Sequence, residues 1–62
     1  MTYLNLLQCF CESRKVQAFY TSCLENAITK EEKEFLMKLA ETATKTSNEI
    51  KEFCELIHRL EE

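Results

Sequence analysis

Glycine and proline are both absent from these 62 residues. Without glycine, no residue takes a positive φ at low cost; without proline, nothing interrupts a long helix. The tight turns on which all-β folds depend are therefore missing. Alanine, leucine, glutamate and lysine dominate instead, all good helix formers. An all-α chain with one connection is expected.

Other absences narrow the function. The net charge is −3, from eleven acidic and eight basic residues, with no basic cluster. A nucleic-acid surface needs a lysine or arginine stripe, so nucleic acid is not an expected partner. No apolar run approaches the ~20 residues of a membrane span, and no membrane partner is expected. The N-terminal Met-Thr-Tyr-Leu-Asn-Leu-Leu lacks a basic region and a small-residue cleavage site. No signal peptide is expected, and a cytoplasmic location follows by default. There is no Ser/His/Asp arrangement, glycine-rich loop or nucleotide motif, which argues against a hydrolase or phosphotransferase.

What the chain does have is two amphipathic periods. Leu36, Leu39, Ala43, Thr46, Ile50, Phe53, Ile57 and Leu60 recur at alternating spacings of three and four. That spacing predicts one long helix, to about Leu60, with an apolar seam. Its middle is small and polar: Ala43 and Thr46 lie inside Glu41-Thr-Ala-Thr-Lys-Thr-Ser-Asn-Glu49. This waist is the best candidate for chemistry. Glu34, Lys38, Glu41, Lys45, Asn48, Glu52, Glu55 and Arg59 form the solvated face. Glu34–Lys38 and Glu41–Lys45 are acid-before-base pairs one turn apart, each worth about 0.2–0.5 kcal/mol.

The first helix is expected from about Tyr3 to Ala27, with Leu6, Cys9, Ser13, Val16, Tyr20, Cys23 and Ala27 as its seam. Tyr3, Phe10, Phe19 and Leu24 widen that seam. By angle, Glu12 falls between Phe19 and Cys23, inside the apolar arc, so its carboxylate needs a partner, a proton or a metal. Thr29-Lys-Glu-Glu32 reads as a capping box that opens the second helix at about residue 30. A turn at about residues 27–29 is so short that the helices must form an antiparallel hairpin. Residues 1–62 are then one domain. Such a hairpin pairs Tyr20 with Leu39, Val16 with Ala43, and Leu6 with Ile50 and Phe53. Ile57 and Leu60 overhang. Chains this short usually need a staple, a metal or a partner subunit. Both stripes are wider than a two-helix contact, so a homodimeric four-helix bundle is expected.

The four cysteines sit in helical sequence rather than in loops, which favours reduced thiols over a disulfide scaffold. Cys9 and Cys23 fall on the apolar face, where cysteine packs as a small hydrophobe, and Cys11 faces solvent. Cys54 and His58 lie one turn apart. They form at most a soft half-site, since zinc needs four ligands.

Asn5-Leu-Leu-Gln-Cys-Phe-Cys-Glu-Ser13, Phe19-Tyr20, Ala40-Glu-Thr-Ala43 and Glu49-Ile-Lys-Glu-Phe53 resemble one helical-hairpin half of a rubrerythrin or related ferritin-like protein. That resemblance implies that two hairpins enclose a di-iron centre. Each supplies a Glu from its first helix and a Glu-x-x-His from its second. Glu12 matches the first-helix ligand. The Glu-x-x-His falls on Thr46-Ser-Asn-Glu49, so Thr46 replaces a carboxylate and Glu49 an imidazole. The resemblance therefore implies a degenerate half, its metal site lost.

The expected function is assembly or protein-partner binding by a small ferritin-like hairpin, with no cofactor and no enzymatic role assigned. One alternative is a metal-binding or redox four-helix bundle. It would use Glu12 and Glu49 across a dimer to hold iron or another divalent metal. A second is an RNA-binding hairpin dimer, for which the first helix offers only Arg14 and Lys15.

Overall fold

The structure, a computed structural model, describes residues 3–61 and the side chains of 4–60. It is all-helical. Helix α1 spans Tyr3–Glu25 and helix α2 spans Lys30–Glu61, with no strand among the described residues. The helices pack on each other along a rod of 49 × 14 × 13 Å. A four-residue connection leaves only an antiparallel arrangement, and α2 alone accounts for the length of the rod.

Each boundary has a local cause. Helix α1 stops at Glu25, two residues before the expected end, because its last turn tightens. Asn26 N donates to Cys23 O and Ala27 N to Leu24 O, both at 3.2 Å. The Asn26 side chain donates to Ser22 O at 3.1 Å, satisfying another terminal carbonyl. No described residue takes a positive φ, so the chain reverses without the left-handed residue that glycine usually supplies.

The start of α2 is a capping box. Glu32 N donates to Thr29 Oγ1, and Ile28 N donates to Glu32 Oε1, both at 3.1 Å. Glu32 reaches back one residue further than the ideal box. Glu31 and Glu32 occupy the first turn and His58 and Arg59 the last, so charge complements the helix dipole at both ends. Replacing Thr29 by Ala should cost about 1 kcal/mol, read as a lower denaturation midpoint at unchanged slope. An unchanged midpoint would mean that the reversal does not depend on this cap.

The interior is thin. Among the described side chains, only Ala43, Ser47, Cys54 and Ile57 are buried, and all four belong to α2. Leu6, Phe10, Ser13, Gln17, Tyr20, Cys23 and Leu24 of α1 are half-buried, as are Ala27 in the connection and Leu36, Leu39, Ala40, Thr44 and Ile50 of α2. The buried side chains are mostly small, so the hairpin holds little apolar volume of its own.

The phase of both helices differs from the expected single seam. Leu6, Ser13, Tyr20 and Ala27, with Leu36, Ala43, Ile50 and Ile57, belong to the seam as read from sequence. The stripe that completes the contact is Phe10, Gln17 and Leu24 on α1, with Ala40, Ser47 and Cys54 on α2. Cys9, Val16 and Cys23, and Leu39, Thr46, Phe53 and Leu60, were expected there and instead flank it. Cys9, Val16, Thr46, Phe53 and Leu60 are exposed. The overhang is smaller than expected. Ile57 is buried, whereas Leu60 is 77 % exposed.

Candidate functional site

The flanking stripes come together on one face. Val16 of α1 lies in the same groove as Leu39 and Thr46 of α2, so the residues displaced from the seam share one side of the rod. Phe53, 49 % exposed, and Leu60 continue that stripe along α2. Val16 and Phe19 lie along α1, both exposed. A different side of α1 is polar, with Arg14, Gln17, Thr21, Ser22 and Glu25 around a shallow depression. The hairpin is two-sided: one face offers unpaired apolar stripes, the other a solvated surface.

The groove lies at the waist. Ser13, Val16 and Tyr20 face Thr46, Thr42, Ala43 and Leu39 across a depression of about 310 Å³. Small residues on α2 create it, because Ala43 and the threonines cannot fill the space between the helices at this level. No charged side chain lines it.

Local hydrogen bonds account for some of the waist hydroxyls. Thr42 Oγ1 donates to Lys38 O at 3.0 Å and Thr44 Oγ1 to Ala40 O at 2.9 Å. Ser13 Oγ donates to Phe10 O at 2.6 Å. Serine and threonine commonly return a bond to a carbonyl one turn back in helices. Ser47 is different: it is 0 % exposed and its Oγ has no hydrogen-bond partner.

Glu12 sits at the surface rather than inside the arc. Its side chain is 62 % exposed, and Lys15 Nζ donates to Glu12 Oε1 at 3.2 Å. One turn of helix therefore supplies the partner that an apolar environment would have demanded. Such exposed pairs contribute little to stability. Glu49 is also exposed. No group of three or more His, Cys, Asp or Glu among the described residues is arranged to hold a metal ion. Cys54 is buried while His58, one turn on, is exposed, so they do not face one environment. Arg14 lies 5.0 Å from the Phe10 ring centre, which occupies one of the two cations expected for RNA contact.

Ser47 and Gln17 carry the helix contact and were not singled out from sequence. A lone serine among alanine and cysteine gives no apolar signal, yet its regular spacing with Ala40 and Cys54 marks the close-approach stripe.

No family model matches this chain, and neither a curated protein nor a solved structure is similar to it at a level that carries an argument. No helix among the described residues is long and apolar enough to cross a membrane.

Proposed function

We propose that this chain works through assembly. Two hairpins pair face to face into a four-helix bundle, and the bundle is the unit that acts or presents itself to a protein partner. The observation that carries this reading is the split seam. Each helix has one stripe used within the hairpin and a second, adjacent stripe left open on a common face.

The surface area supports it. The hairpin exposes 5059 Å², against about 4,200 Å² for a compact chain of this mass. The excess of roughly 900 Å² is close to the ~800 Å² that each partner buries in a standard interface. Both stripes repeat every seven residues, the period by which helices pack knobs into holes. The ferritin-like likeness then concerns architecture alone, with Thr46 and Glu49 standing where ligands would be.

Light scattering across a concentration series tests the reading directly. A dimer should persist through the low micromolar range. A helical monomer at high micromolar concentration would sink it. Thiol labelling gives an independent view. In the lone hairpin Cys9 and Cys11 are both exposed, Cys23 is half-buried and Cys54 is buried. In the face-to-face dimer Cys9 and Cys23 are covered, so Cys11 alone should react fast. Equal rates for Cys9 and Cys11 under conditions where the chain is dimeric would place the interface on another face.

A further inference from the structure

We draw no further inference here: the strongest candidate, the open waist groove between Val16 and Tyr20 of α1 and Leu39, Ala43 and Thr46 of α2, belongs to the apolar face already described, and nothing in the structure shows what covers it.

Discussion

Phe53→Glu should abolish the dimer while leaving the contacts within each hairpin nearly untouched. Phe53 is half-exposed in the single chain and lies on the open stripe, beside the Ile50–Cys54 contact rather than within it. In a two-fold interface one substitution acts twice. Each copy loses the burial of a large apolar side chain, about 1.5–3 kcal/mol. Each also brings a carboxylate into an apolar contact that offers it no partner. A combined loss above about 4 kcal/mol raises the dissociation constant by roughly a thousandfold or more. Sedimentation equilibrium should find the variant monomeric where wild type is dimeric. Because the interior is so thin, the monomeric variant should also show less helical signal than wild type at the same concentration. Lys45→Glu, on the solvated face, introduces the same carboxylate and should leave assembly unchanged. If Phe53→Glu dimerises as tightly as wild type, the open face is not the interface.

Ser47 gives the second large effect, with a sign that depends on the replacement. Its hydroxyl is fully buried and bonded to nothing. An unsatisfied buried polar group costs about 1–3 kcal/mol, and alanine at the same place removes that cost. Alanine also has the higher helix propensity, by a few tenths of a kcal/mol. Ser47→Ala should therefore stabilise the protein by about 1–2 kcal/mol in urea denaturation. Ser47→Leu should do the opposite, since the close approach of the helices leaves no room. Overpacking of this kind costs about 1–3 kcal/mol. A destabilised Ser47→Ala would show that the hydroxyl gains a partner in the assembled protein.

The fold was legible because chain length, two amphipathic periods and one capping box all point to a hairpin. Thr29 and Glu32 make the bonds their spacing announces. The phase was only half legible. Leu39, Phe53 and Leu60 are large apolar residues of α2, and they weigh heavily in a reading by hydrophobic period. Ala40, Ser47 and Cys54 face α1 instead, because close helix contact selects small side chains, and small side chains carry a weak apolar signal. The stripe that stood out is the one that flanks that contact. The surroundings of Glu12 were also only partly legible. Glu12 lies within the apolar arc by angle, yet a lysine three residues on keeps it at the surface. Such a local pairing becomes visible only once rotamers are placed. Two of the waist threonines, Thr42 and Thr44, likewise look like a polar site until their hydroxyls are seen returning to the carbonyls of their own helix.

The rod shape governs how the molecule moves through solvent. Its radius of gyration is 14.6 Å, against about 10.6 Å for a compact chain of this length. A lone hairpin therefore meets more friction than a sphere of its mass, and on a sizing column it would pass for something heavier. Lateral pairing reverses this. It doubles the mass across the two short dimensions and adds nothing to the 49 Å axis. A dimer formed in this way would be hydrodynamically rounder than its own subunit. Its frictional ratio should fall on association, whereas tip-to-tip association would raise it. Sedimentation velocity therefore reports the direction in which the hairpins join as well as their number.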